Sequence, residues 1–255
     1  MRGPLKTSQT RRNAASGGGV AGAVRAALRE RIDPEKAVVL PRFFKTGPGQ
    51  YGEGDKFLGV AVPGVRQAVK PHLDAPEADI LALLRSEYHE ERLAALVILV
   101  GRYRLARREG DAARQEAVFR FYLANTGRVN NWDLVDLSAP HIVGAHLFGK
   151  STALLTELSA SPSVWERRIA IIATHHFIRE GDCRETFRIA RRLLGDRHDL
   201  IHKAVGWMLR EAGKRCSLEA ELAFLDRHRA EMPRTALRYA IERFPEGLRR
   251  AYLAR

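Results

Sequence analysis

Residues 90–107 read EERLAALVILVGRYRLAR, and in this stretch apolar side chains recur three and four positions apart between charged ones. That spacing places the apolar side chains along one side of an α-helix. The same spacing occurs in residues 77–86, 111–124, 164–179 and 200–212, whereas the alternating pattern typical of strands is scarce. The sequence therefore predicts an all-α protein.

The helical segments also repeat along the chain. Arg92 begins RLAAL and Arg168 begins RIAII 76 positions later, which is close to two units of about 38 residues; Lys203 begins KAVGW after a further 35. Near the midpoint of the first interval, residues 130–133 (NNWD) begin another helix. Paired helices in units of about 40 residues are typical of HEAT-type arrays, so we expect a HEAT-like helical-repeat solenoid.

The recurring basic residue has two interpretations. If each unit contributes it at the same place, these residues line one concave basic face, on which Arg92, Arg168 and Lys203 would follow a phosphate backbone. A basic residue beside an apolar stripe is equally what any solvated amphipathic helix shows. The repeat alone leaves both interpretations open.

Charge and composition exclude several classes of protein and favour one kind of partner. The 255 residues include 43 Lys and Arg against 30 Asp and Glu, a net charge of +13 that favours a polyanionic partner. A hydrophobic content of 45% excludes a fully disordered chain. Cys183 and Cys216 have no partner at zinc spacing, which argues against a disulfide scaffold and a zinc site. No apolar run approaches the roughly 20 residues that span a bilayer.

Two segments stand apart from the helical pattern. Residues 1–22 contain no acidic residue and end in a glycine-rich run, so we expect a disordered basic arm that precedes a single domain formed by residues 23–255. A DNA-contacting arm, an inert tail and an organelle transit peptide are the alternatives for this segment. Residues 45–64 are rich in glycine and predict a long loop, without the motif of a nucleotide site.

Candidate functional side chains are concentrated around the tryptophans. Trp132 and Asp136 are four positions apart, which places an aromatic ring and a carboxylate on the same side of one helix. Either Asp133 or Asp136 could equally be a surface charge or a helix cap. Gly206 directly precedes Trp207 within a predicted helix, where a glycine often permits the close approach of a neighbouring helix.

Three motifs in this order resemble those of the AlkD-type DNA alkylation repair glycosylases: WDLVD (132–136), WERRIA (165–170) and KAVGWMLRE (203–211). The segment FLGVAVPGVRQ (57–67) is similar to an early segment of the same family. The resemblance covers residues 34 to 255. It implies a HEAT-like α-solenoid whose concave basic face holds duplex DNA, and hydrolysis of the N-glycosidic bond of N3- or N7-alkylated purines without base flipping.

The resemblance also assigns roles to individual residues. It implies that Trp132 and Asp136 are the catalytic aromatic residue and carboxylate, that Trp207 is a second catalytic cleft tryptophan, and that Arg168 contacts DNA. The chain departs from the family in having Asn131 where a relative has a second tryptophan, which raises a question about the packing around Trp132. The counterpart of the family's cleft tyrosine is not identifiable from the sequence.

The proposed chemistry fits a single carboxylate. A purine alkylated at N3 or N7 is cationic and departs as a neutral base, so it needs no general acid, unlike the two-carboxylate hydrolysis of glycosides. An ionised Asp136 would stabilise the oxocarbenium sugar and orient water. We expect Lys203 to contact phosphate rather than to form a Schiff base, and therefore a monofunctional enzyme that needs no metal and no cofactor.

Three hypotheses are therefore compared. An alkylpurine DNA glycosylase would use Asp136, whereas a non-catalytic HEAT-repeat DNA-binding protein has no use for a carboxylate that faces phosphates. A protein-interaction solenoid is disfavoured by the charge. We expect a monomer that acts on double-stranded DNA without contacting membranes, in a bacterial-type cytoplasm in association with the nucleoid.

Overall fold

The structure, a computed structural model, describes residues 19–254 and contains no β-strand within them. The all-α prediction is confirmed. The helices are α1 (Val20–Arg29), α2 (Pro34–Phe43), α3 (Val62–Val69), α4 (Glu77–Leu84), α5 (His89–Glu109), α6 (Ala112–Ala124), α7 (Trp132–Ser138), α8 (Ala145–Leu147), α9 (Ala153–Ser159), α10 (Val164–Arg179), α11 (Arg184–Leu193), α12 (Asp199–Arg215), α13 (Leu218–His228), α14 (Arg234–Ala240) and α15 (Glu246–Leu253). A π-helical turn (Pro140–Gly144) joins α7 to α8.

The ends of the long helices follow from local sequence. Helix α10 has the predicted bounds, and the hydroxyl of Ser163 accepts a hydrogen bond from the backbone N–H of Glu166 at its start. Helix α5 ends at Gly110, whose φ of 70° is a left-handed conformation that glycine adopts without steric cost. Helix α12 continues to Arg215, three residues beyond the predicted segment.

The boundary of the predicted N-terminal arm needs a correction. Helix α1 begins at Val20, so residues 20–22 are the first turn of a helix and belong to the folded domain. The reason is a long-range contact that the local sequence does not reveal, because the backbone N–H of Ala21 donates a hydrogen bond to Asp79 at 3.2 Å. The prediction for residues 1–18 lies outside the described residues.

The helices pack in two rows. Helices α5, α7, α10, α12 and α14 pack side by side in this order, and we call them the inner row; α4, α6, α9, α11 and α13 pack behind them. Arg92, Trp132, Arg168 and Lys203 lie on four consecutive helices of the inner row. The interval of about 38 residues is therefore the spacing of a helical repeat.

Two glycines allow neighbouring helices of this assembly to approach closely. A Cβ atom at Gly144 would clash with the carbonyl oxygen of Ala173 in α10, and a Cβ at Gly206 would clash with that of Ala236 in α14. The glycine before Trp207 thus admits a neighbouring helix, as its position suggested. Among the described residues, no helix combines the length and the apolar character that crossing a bilayer requires.

Candidate active site

A cavity of about 440 Å³ opens on the inner row between α7, α10, α12, α14 and the loop that follows α2. Five of the six residues that the sequence singled out line it: Trp132, Asp136, Arg168, Lys203 and Trp207. We call the side formed by α10, α12, α14 and the second turn of α7, which carries Asp136, the helix wall. The opposite side, formed by residues 43–57 and the first turns of α5 and α7, is the loop wall.

The carboxylate of Asp136 is bound by both donors of one guanidinium edge. Nε and Nη2 of Arg168 each donate a hydrogen bond of 2.8 Å to a different oxygen of Asp136. The third donor group, Nη1, binds the carbonyl oxygen of Leu200 at 2.5 Å. The side chain of Arg168 is only 5% exposed, whereas that of Asp136 is 17% exposed. Arg168 therefore holds the carboxylate from behind while Asp136 borders the cavity.

This environment affects the pKa of Asp136 in two directions. Burial raises the pKa above its ordinary value, and the charge and hydrogen bonds of Arg168 lower it. Burial is the larger effect, so the pKa of Asp136 is raised overall, while the paired contact with a guanidinium that keeps its proton favours the ionised carboxylate. Asp136 thus offers negative charge in a site partly shielded from water.

Trp132 is held by aromatic residues of the loop wall. Its ring stacks on that of Phe44 with centroids 5.4 Å apart, and the ring of Phe43 meets it edge-on at 5.9 Å. Asn131, where a relative has tryptophan, is fully buried; its amide donates a hydrogen bond to Asp55 and its oxygen accepts one from the backbone N–H of Trp132. Asn131 therefore makes polar contacts at this position, and Phe44 supplies the ring that stacks on Trp132.

A buried polar network underlies the loop wall. The imidazole of His89 joins Asp133 through Nε2 at 2.8 Å and Asp55 through Nδ1 at 3.2 Å, and Arg92 donates a hydrogen bond of 2.6 Å to Asp55. Burial by itself would lower the pKa of His89, but hydrogen bonds to the two carboxylates raise it to about 9. His89 is therefore an imidazolium at neutral pH that links the loop to the first turn of α7.

Arg92 lies within this network and not in the cavity. Its side chain is 3% exposed and that of its partner Asp55 is 6% exposed, so a ligand on the inner row does not reach the guanidinium. The structure thus separates Arg92 from the other five predicted residues, and its burial argues against the DNA contact expected of it. Arg168 is nearly as buried, and its DNA contact stays a prediction.

Residues that the sequence did not identify complete the cavity. The glycine-rich loop brings Tyr51 into the cavity. The end of this loop is held in place by Glu90, whose carboxylate accepts hydrogen bonds from the backbone N–H groups of residues 58–60. Burial raises the pKa of Tyr51. The lining residues that sequence reasoning missed are Phe43, Lys45, Tyr51, Leu200, Arg210 and Tyr239.

The helix wall contributes cations and a second aromatic face. Lys203 forms an ion pair of 2.7 Å with Asp199, and hydrogen bonding to this carboxylate raises the pKa of Lys203. Trp207 lies against His175 with ring centroids 5.9 Å apart. Within residues 19–254 no group of three or more His, Cys, Asp or Glu side chains is arranged so that it could hold a metal ion. The cavity therefore presents aromatic surfaces, one carboxylate and several cations.

Comparisons with known proteins identify the family and support the fold. The model of a family described as DNA alkylation repair enzyme matches residues 24–244. A solved structure, a predicted DNA alkylation repair enzyme from Enterococcus faecalis, has 16% sequence identity and a TM-score of 0.62, covering 85% of this chain and 98% of its own. At that identity the likeness shows the fold. Curated protein sequences give no match.

Proposed function

The chain belongs to the DNA alkylation repair enzyme family, and from that premise we propose that it is a monofunctional, AlkD-type DNA glycosylase that hydrolyses the N-glycosidic bond of cationic N3- or N7-alkylated purines in duplex DNA. One observation carries the proposal. A single cavity on the inner row places the Asp136 carboxylate together with the side chains of Trp132 and Trp207. A protein that only bound DNA would have no use for a carboxylate beside phosphates.

The reaction needs little proton transfer. When the bond between C1′ and the purine nitrogen breaks, its electron pair neutralises the cationic base, and positive charge develops on the sugar. Asp136 stabilises this oxocarbenium because its negative charge is fixed at the cavity edge by Arg168 before the reaction begins. Water then adds to C1′ and releases one proton, so the products are the neutral alkylated base and an abasic site.

The other cavity residues bind the cationic nucleotide. The faces of Trp132 and Trp207 attract a positive charge, with each contact worth about 0.5–2 kcal/mol. Lys203 lies 38% exposed on α12, where a phosphate can displace its partner Asp199. In this proposal Arg168 acts as a positioning residue that orients Asp136.

Further features of the proposal rest on the family and its resemblance. Base release without base flipping would let an open cavity accept bulky cationic adducts as well as methylated purines. Double-stranded DNA is the proposed partner, and a monomer in the bacterial cytoplasm, associated with the nucleoid, is the proposed form. No step calls for a metal or an organic cofactor.

The test measures release of free base. Purified protein is incubated with duplex DNA that contains N7-methylguanine or N3-methyladenine, beside the variants Asp136→Asn and Asp182→Asn. Asp136→Asn should lower the excision rate by about 10²–10³ while DNA affinity stays equal or rises, because a negative charge is removed. Asp182 lies on the loop before α11, outside the cavity, and forms an ion pair with Arg184, so Asp182→Asn should retain full activity.

Two outcomes would contradict the proposal. Excision by Asp136→Asn at the wild-type rate would exclude the carboxylate mechanism. Tight, salt-sensitive DNA binding without base release by the wild type, for methylated purines and for bulky cationic adducts, would instead support the non-catalytic DNA-binding protein.

A further inference from the structure

A second cavity, of about 430 Å³, lies on the other side of Asp136. It is bounded by α3, α5 and the end of α7, and Asp136 borders both cavities. Its floor is apolar, and Arg66, Lys70 and Arg104 contribute the cations of its lining. The floor consists of Val69, Leu73, Val97, Val100 and Leu137. None of its three cations was singled out by the sequence.

Among the described residues, these cations form no ion pair with a carboxylate. Within residues 19–254, no carboxylate oxygen lies within 4.0 Å of the charged groups of Arg66, Lys70, Arg104 or the neighbouring Arg179. Burial lowers the pKa of Arg104, and the positive charges of Arg66 and Arg179 lower it further. Like charges held together and partly desolvated are stabilised by an anionic ligand.

Arg104 is also held in place without losing its charge. Its Nη2 donates a hydrogen bond of 2.9 Å to Nε2 of His141. Burial, together with the charges of Arg104 and Arg179, lowers the pKa of His141 to about 4, so the imidazole is neutral at physiological pH. A neutral acceptor orients the guanidinium and leaves its other N–H groups for a ligand.

The shape of the cavity selects among anions. A cationic rim above an apolar floor fits a phosphate group that is attached to an apolar body, and a deoxyribose phosphate in a DNA strand has this character. Because Asp136 borders both cavities, a nucleotide whose sugar lies at Asp136 would direct the adjoining phosphate to one side of α7. The cations of the second cavity are on that side.

We propose that the second cavity binds the phosphodiester that adjoins the reacting sugar, with Arg104 and Arg66 on the phosphate oxygens and the neighbouring deoxyribose on the apolar floor. The assignment rests on the proposed function, which is what places a nucleotide sugar at Asp136. It gives the inner row a strand-positioning site next to the chemistry, formed by α3 and α5 and independent of Arg168.

The first test is the salt dependence of binding to undamaged duplex DNA. Arg104→Ala should weaken binding and reduce the slope of log affinity against log salt concentration by about 1, and the double variant Arg66→Ala/Arg104→Ala by about 2. Arg191→Ala is the matched control because Arg191 is exposed on α11, behind the inner row, and it should keep the wild-type slope. Wild-type slopes in both cavity variants would overturn the proposal, whether or not the protein releases base.

The second test locates the phosphate. Single uncharged methylphosphonates are placed at successive positions around a tetrahydrofuran abasic-site analogue. At the position adjoining the analogue, the substitution should weaken wild-type binding roughly tenfold and should have little further effect on Arg104→Ala. The assignment would be overturned if the methylphosphonate that affects the wild type but not Arg104→Ala lay at a distant position, or if no position behaved in this way. Base-release assays would still report separately on the glycosylase.

Discussion

The two walls of the first cavity each contain an Arg–Asp pair built on the inner row, yet the pairs differ in what they do. In the helix wall, Arg168 leaves its partner Asp136 17% exposed at the cavity edge. In the loop wall, Arg92 and Asp55 are 3% and 6% exposed and contact only protein. An arginine at the same position of the repeat can therefore hold a carboxylate at the cavity edge, as Arg168 does, or bind a loop that covers the helix, as Arg92 does.

The difference arises from where each carboxylate comes from. Asp136 belongs to α7, the helix next to α10 in the row, and its edge is left open. Asp55 belongs to the glycine-rich loop, which lies over the start of α5 and is tied down by Glu90 and His89. We therefore expect the loop-wall pair to determine stability and the helix-wall pair to determine activity.

The largest expected effect is a loss of stability in the loop wall. Asp55→Asn removes the negative charge that Arg92 and His89 share, and leaving buried cations uncompensated costs about 3–5 kcal/mol. Urea unfolding followed by circular dichroism measures this loss. Asp136→Asn should cost clearly less in the same experiment, because water reaches its side of the pair. Equal losses would mean that the two pairs do not differ in the way proposed.

The second prediction concerns the pH dependence of stability. The pKa of His89 is about 9 in the folded protein against about 6.5 in an unfolded chain. The stabilisation is therefore fully present below pH 6.5 and is lost as pH rises through 9, with a total of about 3 kcal/mol. His89→Gln should flatten the profile of unfolding free energy across this window. A variant profile parallel to the wild type would show that His89 carries no charge in the fold.

Glu221 provides the control for that profile. It is buried, and burial raises its pKa to about 8 against an ordinary value near 4.5, although the positive charge of Arg210 opposes the shift. The folded state keeps this proton longer than the unfolded state does, so stability falls between pH 4.5 and 8. Glu221→Gln should remove the decline below pH 6.5 and the Glu221 share of the decline between pH 6.5 and 8, and leave the decline from pH 6.5 to 9 that belongs to His89.

The sequence predicted the helix wall better than the loop wall, and the reason is periodicity. Asp136, Lys203 and Trp207 lie on helices, where a spacing of three or four positions fixes which side chains share a side; the same spacing placed Trp132 of the loop wall beside Asp136. The register of the repeat then places these helices next to one another. Motif and repeat together were sufficient to bring them to one cavity.

No such periodicity predicts which residues form the loop wall. Tyr51 and Asp55 lie in a glycine-rich stretch without periodicity, and the partner of Asp55, His89, is 34 positions away. The burial of Arg92 was not predicted for the same reason, because the repeat predicts the side of α5 on which it lies but not the loop that covers it. The cations of the second cavity escaped notice since Arg66 and Arg104 meet only through the packing of α3 on α5.

A third, smaller effect is expected from the packing of the helix wall. Gly206→Ala would place a Cβ against the carbonyl oxygen of Ala236 and the Cβ of Tyr239. Forcing α14 away from α12 should cost about 1–3 kcal/mol in thermal unfolding and lower base release, because Trp207 and Tyr239 move with these helices. Gly22→Ala is the control: a Cβ in that helical position meets nothing within 4 Å, so stability should stay equal or rise. Tolerance of Gly206→Ala would show that the helix wall is not closely packed.

The smallest expected effect separates the two tryptophans of the cavity from the third. Trp207→Leu keeps an apolar side chain but removes the ring that attracts a cation, a loss of about 0.5–2 kcal/mol or roughly two- to thirtyfold. The measurement is the preference for DNA containing a cationic pyrrolidine abasic analogue over DNA containing the neutral tetrahydrofuran analogue. Trp165 touches Tyr51 edge-on at 6.0 Å and does not line the cavity, so Trp165→Leu should keep the wild-type preference. If both variants kept it, the helix wall would bind its ligand by shape alone, and the cation would be recognised by Asp136 and Trp132.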